Sequence, residues 1–160
     1  VSKLLGLGYP GGPVIDRLSK EGNPKAVNLP RAYLPDSLDF SFSGLKTAVR
    51  LALKNNPEIN ITDIAASFQS AVTDVLVRKT EMAIAHSGIT RVSLSGGVAA
   101  NSELRSKMSL MAELRNVELF MPSPLFCTDN AAMIAVSGYF KFQEGLIAGN
   151  DLNPKAYLPL

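Results

Sequence analysis

The residues best suited to chemistry fall in four short stretches. The first is Leu94-Ser95-Gly96-Gly97-Val98-Ala99-Ala100-Asn101, where an apolar run ends in two glycines and a helical pattern opens with small residues. Unsatisfied amides at a helix N-terminus lie at the positive end of the dipole and suit a phosphate. Gly96 and Gly97 would let such a ligand approach the main chain, and Asn101 would offer its amide to a base or ribose. The same residues serve equally as a tight strand-to-helix turn without a ligand, and they match neither a Walker loop nor the dinucleotide fingerprint. The second stretch, Tyr9-Pro10-Gly11-Gly12-Pro13, has Asp16 about a turn further on. A carboxylate just inside a helix after a glycine-rich loop commonly accepts from ribose hydroxyls. Complementing the helix dipole is the plainer reading of Asp16.

The third stretch is Cys127-Thr128-Asp129-Asn130-Ala131-Ala132. Asp129 would stand at the C-terminal edge of a strand, where open α/β sheets bind ligands, either as an N-cap or as an oxygen ligand for a divalent cation. One carboxylate is not a metal site, and the single histidine, His86, stands at a helix end. The single cysteine, Cys127, has no Cys or His partner at zinc-site spacing and reads as structural. The fourth stretch, Asp39-Phe40-Ser41-Phe42-Ser43-Gly44-Leu45-Lys46, alternates aromatics and serines as a half-buried strand does. Ser41, Ser43 and Lys46 could meet an anionic ligand or RNA phosphate there. They serve as well as a helix cap, Ser43, and a solvated side chain, Lys46. One histidine, with no nucleophile elbow, speaks against a serine or cysteine hydrolase.

These stretches need elements to hold them. The pattern predicts a helix ending at Gly8, a helix over Val14–Lys20, and short strands around Ala26–Leu29 and Leu38–Phe42. A helix over Gly44–Lys54 follows, then a long one from a Thr62 cap through Asp63 to His86, closed by Gly88. Arg91–Leu94 and Val117–Met121 read as neighbouring strands, the first of them buried, with helices over Ala99–Leu114 and from Thr128 or Asp129 to Gln143 packed on them. Strand–helix–strand–helix succession predicts an α/β architecture with a parallel pair. On this plan Gly12, Asp16, Gly97 and Asn101 are expected to converge on one cleft.

The 160 residues suit one domain or one lobe of a larger protein, and close to half are apolar. No apolar run approaches the roughly 18 residues of a membrane span, no secretory signal opens the chain, and a lone cysteine fits a reducing compartment, so the cytoplasm is expected. A formal charge of +2 is too small to argue nucleic-acid binding from charge alone. Val1–Leu7 reads as a helix already under way, with no initiator Met, and the true start is expected upstream.

Taken together, LLGLGYPGGPVID, DFSFSGLKTAV, DIAASFQSAVTDVLVRKT, SLSGGVAANSELR and CTDNAAMIAVSGY, in this order, resemble the C-terminal half of the TsaD/Gcp/Kae/Qri family. These are the tRNA threonylcarbamoyladenosine transferases, formerly labelled O-sialoglycoprotein endopeptidases or glycoproteases. The similarity is weakest in residues 21–36 and after Gly145. It implies an actin/Hsp70/sugar-kinase-like (ribonuclease H-like) lobe truncated on its N-terminal side, the lobe with an HxxxH metal motif being absent. It implies transfer of threonylcarbamoyl from threonylcarbamoyl-adenylate to N6 of the adenosine next to the anticodon of tRNA. Gly12, Asp16 and Asn101 would contact the adenosine part of that adenylate, with Gly11, Gly96 and Gly97 as loop contacts. Asp129 would be the carboxylate ligand of one divalent metal, iron or zinc, completed by the two upstream histidines. No residue is identified as a general base, and the isolated chain is expected to be inactive. Further subunits of the transfer machinery and a homodimer are the expected protein partners. Two alternatives remain: a metallopeptidase, for which no helix pairs two histidines with a glutamate, and a noncatalytic interaction module using the apolar stripe of the helix over 63–86.

Overall fold

A computed structural model of the chain describes residues 1–153. The elements run α1 (Gly11–Ser19), α2 (Leu45–Asn55), α3 (Ile61–Ser87), β1 (Arg91–Ser93), α4 (Ser102–Arg115), β2 (Glu118–Phe120) and α5 (Ala131–Gln143). Short 3-10 turns lie at Ser2–Leu5, Gly97–Ala100 and Pro124–Phe126. The class is α/β, as expected. β1 and β2 pair in parallel with Arg91 opposite Glu118, Val92 opposite Leu119 and Ser93 opposite Phe120.

α3 is the spine. Its N-terminal half packs through Ile64, Ala65 and Ala71 against Ile15 of α1 and Leu45 and Val49 of α2. Its C-terminal half meets Leu104, Met108 and Met111 of α4, with Val92 and Leu119 of the sheet closing that second cluster. Burying an aliphatic side chain of this size is worth roughly 1.5–3 kcal/mol, so the fully enclosed Val49 and Ile64 are major contributors. The helix begins two residues earlier than a Thr62 cap would allow: Asn60 is the N-cap, and its side chain accepts from the Thr62 N–H. Gly88, with φ near 69°, closes it in the left-handed conformation. The apolar stripe of this helix is therefore core and not a free interaction face.

Several expectations differ from the structure. Residues 23–44 hold no strand. A polar stripe on α3 ties the first part of this segment down instead. Asp63 accepts from the Asn23 N–H at 2.7 Å, Ser67 Oγ accepts from the Val27 N–H and donates to the Asn23 carbonyl, and Asp74 takes the Arg31 guanidinium at 2.7 Å. Further on, the buried Lys79 ammonium donates to the carbonyls of Leu34 and Ser37. With its backbone served by side chains, this segment needs no ladder partner. The alternating Phe40 and Phe42 are 53% and 43% exposed, not packed on one face. Gly22 lies so close to α3 that a Cβ there would stand 2.1 Å from the Thr62 carbonyl oxygen.

At the N-terminus the helix ending at Gly8 is a single 3-10 turn, Ser2–Leu5, capped by Gly6. α1 starts at Gly11 and not at Val14, with Pro13 in its first turn, where the missing N–H breaks no helical bond. α2 is capped by Gly44 at φ 77° and not by the Ser43 hydroxyl. β1 is not buried: Arg91 and Ser93 are exposed and only Val92 is half-covered. α4 packs on the sheet, but α5 has no buried residue, and Ile134, Tyr139, Phe140 and Phe142 are all more than half exposed. Asn130, not Thr128 or Asp129, caps α5, accepting from the Met133 N–H at 3.0 Å. No helix among the described residues is long and apolar enough to cross a membrane.

Candidate functional site

The two glycine-rich loops meet. α1 and the turn Gly97–Ala100 stand side by side because α1 and α4, which the turn leads into, both pack on α3. Between them opens a cleft of about 450 Å³ whose walls include Gly12, Asp16, Arg17, Lys20, Gly97 and Asn101. A second hollow of about 290 Å³ shares Gly12, Val98 and Asn101 with it and is lined by Ile15, Phe68 and Val72. A carboxylate, two exposed cations and glycine backbone thus adjoin an apolar chamber. Such walls suit a ligand with a flat apolar part, hydroxyls and an anionic group.

Asp16 is fixed through one oxygen. Its Oδ1 accepts from Gln69 Nε2 at 3.1 Å, from the Ser102 N–H at 3.1 Å and from Ser102 Oγ at 2.8 Å. Its Oδ2 has the Lys20 ammonium at 3.9 Å. Asn101 is the N-cap of α4: its Oδ1 accepts from the Leu104 N–H at 2.9 Å, and its Nδ2 donates to Gln69 Oε1 at 2.7 Å. It sits before the helix and not within its first turn. This corrects one expectation about the phosphate cradle. Two of the leading amides of α4, those of Ser102 and Leu104, are already served within the chain by Asp16 and Asn101. α1, by contrast, has no side-chain cap, and its Gly12 faces the cleft with nothing within 4 Å of where a Cβ would stand. Gly96, at φ 88°, takes a conformation that favours glycine. Gly97 also has open space around it. Gly11 lies against Ser2, 2.6 Å from its Cβ once a Cβ is placed on the glycine.

Gln69 and Ser102 were not singled out by sequence reasoning. The available signal was an amide between Phe68 and Ser70, on a helix whose neighbouring positions are core.

Asp129 lies exposed in the bend before α5. Among the described residues no group of three His, Cys, Asp or Glu could hold a metal ion. A metal therefore does not fit the described residues by themselves. His86 is exposed in the last turn of α3. Cys127 is buried, its Sγ 3.5 Å from the Ser123 carbonyl and 3.8 Å from Arg105 Nη1, which itself donates to the Ala99 carbonyl. It thereby ties the Pro124–Phe126 turn to the glycine loop, a structural role. Ser43 and Lys46 are exposed at the head of α2, and Ser41 Oγ accepts from the Ser43 N–H.

A larger hollow of about 510 Å³ lies between α3 and α4 and holds none of the residues singled out from the sequence. Its charged walls are satisfied internally. Burial pushes the Asp74 carboxyl up, but hydrogen bonds from Lys107 and Arg31, and their charges, outweigh it and hold the group below the ordinary aspartate value. Glu81 is likewise held low by Arg115 and Arg78, whose guanidinium groups both bond its carboxylate.

Residues 1–136 match the family model described as TsaD: tRNA N6-adenosine threonylcarbamoyltransferase. The chain belongs to that family. A tRNA N6-adenosine threonylcarbamoyltransferase of Thermodesulfovibrio yellowstonii is 54% identical over 167 residues, covering 100% of this chain and 50% of that protein. Transferases of the same name from Geotalea uraniireducens and Clostridium beijerinckii are 51% and 46% identical, again over 100% of this chain and 48% and 49% of their own length. The chain spans about half the length of the curated relatives it matches. The matched residues include both loops of the cleft and Asp129.

Proposed function

We propose that the chain forms the C-terminal part of a tRNA N6-adenosine threonylcarbamoyltransferase, and that the cleft between α1 and the Gly96-Gly97 loop holds the adenosine part of threonylcarbamoyl-adenylate. The observation that carries this reading is the meeting of Gly12, Asp16, Gly97 and Asn101, drawn from two distant motifs, on one cleft in a member of this family. On this reading the adenine enters the apolar hollow beside Phe68 and Val72. A ribose hydroxyl donates to Asp16 Oδ2, the oxygen not held by Ser102 and Gln69. Arg17 and Lys20 neutralise the phosphate, with the uncapped amides of α1 nearby. The lobe would belong to an actin-like, ribonuclease H-like fold whose other half lies outside this sequence, and the enzyme would work in the cytoplasm.

The reaction asks little of side chains. The adenylate is a mixed anhydride, so the N6 amine of the tRNA adenosine attacks the carbamoyl carbon, the bond to the phosphate oxygen breaks, AMP leaves with that electron pair, and the amine's proton passes to water. The protein's part is to hold the two reactants in line and the AMP moiety in place. Asp129 would give one carboxylate oxygen to a divalent metal, iron or zinc, whose other ligands lie outside this chain; no step above is routed through it. tRNA, partner subunits and a second copy of the chain remain proposed partners. The peptidase reading has little to rest on, since the sequence's single histidine is exposed at the end of α3. The test is transfer of threonylcarbamoyl to tRNA by the full-length polypeptide. Gly12→Val should abolish transfer while leaving the unfolding midpoint near wild type, because a side chain at Gly12 meets ligand space and not protein. Unchanged transfer in Gly12→Val would remove the cleft from the reaction.

A further inference from the structure

Gln69 stands 4% exposed at the centre of α3, beneath the floor of the cleft. Among the described residues it is the one side chain hydrogen-bonded to both polar candidates for ligand contact. Its Nε2 donates to Asp16 Oδ1 at 3.1 Å and to Ser19 Oγ at 2.7 Å, and its Oε1 accepts from Asn101 Nδ2 at 2.7 Å. We infer that Gln69 is a positioning residue, which fixes the orientations of Asp16 and Asn101 and so decides which atoms each presents to a bound adenylate. The inference rests on the cleft being the adenylate site.

The order of donors along the chain leaves no freedom. As N-cap of α4, Asn101 must turn its oxygen to the Leu104 N–H, so its NH₂ faces α3. That NH₂ needs an acceptor, which sets the Gln69 oxygen on this side. The Gln69 NH₂ then faces α1, where Asp16 Oδ1 and Ser19 Oγ accept. Ser19 Oγ passes its own hydrogen to the Asp16 carbonyl at 2.9 Å. Every amide is thus assigned by its neighbours, starting from a helix cap. With Oδ1 drawn to Gln69 and Ser102, Asp16 has Oδ2 left for a hydroxyl donor. Asn101 has one N–H left over. A glutamate at position 69 would accept from Asn101 but could not donate to Asp16, and would set two carboxylates against each other. A methionine would fill the space and do neither.

The test uses the full-length polypeptide with Gln69→Glu, Gln69→Met and Asp16→Asn, titrated with AMP by calorimetry, with unfolding midpoints measured alongside. Both Gln69 variants should weaken AMP by tenfold or more, and this loss should exceed anything attributable to unfolded protein at the assay temperature. In kinetics the loss should appear in the KM for the adenylate before kcat, as expected for a residue acting through ligand contacts. In the wild type, the side-chain amide resonances of Gln69 and Asn101 should shift together on AMP addition, a readout that needs no variant to fold. AMP affinities within twofold of wild type in both Gln69 variants, with Asp16→Asn weakened, would overturn the inference and leave Gln69 as packing. Unchanged resonances under saturating AMP would overturn it as well. If Asp16→Asn and the Gln69 variants all bind AMP like wild type, the adenylate assignment of the cleft falls first, and the inference with it.

Discussion

Asp16→Asn separates the structural work of this carboxylate from its proposed ligand contact. Oδ1 carries three hydrogen bonds that join α1 to α3 and α4, while Oδ2 lies apart from them. In the variant the three donors still demand an oxygen, so the amide oxygen takes the Oδ1 place and the NH₂ takes the Oδ2 place. The fold loses only the charge assistance of those bonds. The side chain keeps 18% exposure, so water offsets part of that loss, and about 1–2 kcal/mol of stability should go. The Lys20 pair, 3.9 Å apart with a 62% exposed lysine, adds little. The ligand loses more. An NH₂ in that place cannot accept from a ribose hydroxyl, and a hydrogen bond to a charged group is worth about 1.5–3 kcal/mol, or roughly 10- to 100-fold in Kd. The assay is calorimetric titration of full-length wild type and variant with AMP and with its 2′,3′-dideoxy analogue. Wild type should bind the dideoxy compound about 10- to 100-fold more weakly, whereas the variant should bind the two within about threefold. If the dideoxy penalty persists undiminished in Asp16→Asn, the carboxylate does not hold the ribose and the orientation argument fails.

Further outcomes follow from the same geometry. Gly22→Ala should cost at least ~2 kcal/mol in urea unfolding, because its Cβ would meet the Thr62 carbonyl and the Asp63 amide, both backbone and unable to swing aside. Asp74 is held low in the folded state, so it contributes stability above its unfolded value and loses it as pH falls through the folded one. Asp74→Asn should therefore be less stable than wild type at neutral pH, with the gap closing from about pH 4 downward; a gap constant with pH would contradict the ion-pair account. Asp129→Asn should change the stability of this chain by less than about 0.5 kcal/mol, being exposed and not the cap, whereas Asn130→Ala should cost about 1 kcal/mol of α5. In the full-length protein Asp129→Asn should also lower metal content by elemental analysis, and wild-type content would remove Asp129 from any metal site.

Much of the local structure was legible because its causes are local. Helical spacing and a Gly88 stop mark out α3, and the strand–helix–strand succession around Gly96-Gly97 implied a parallel pair, which β1 and β2 form. The motifs, read in order, pointed to the family that the comparisons show. What the sequence could not reveal is where a polar residue spends its hydrogen bonds. Asp63, Ser67 and Asp74 look like the solvated face of an amphipathic helix, yet they tether the segment from Asn23 to Arg31 and replace the strand expected around Ala26–Leu29. Asn101 looked like a free amide and is a cap whose second group is committed to Gln69. The apolar stripe of α3 is buried while the apolar residues of α5 are bare, although both helices are rich in hydrophobic residues, because periodicity reports that a face is apolar and not what lies across from it. Sequence by itself determined the elements and the motifs they carry. Only the packing of α1 and α4 against the same helix, α3, decided that Asp16, Gln69, Asn101 and Ser102 share a network, since that depends on contacts across 32 to 86 residues of chain for which no local pattern exists.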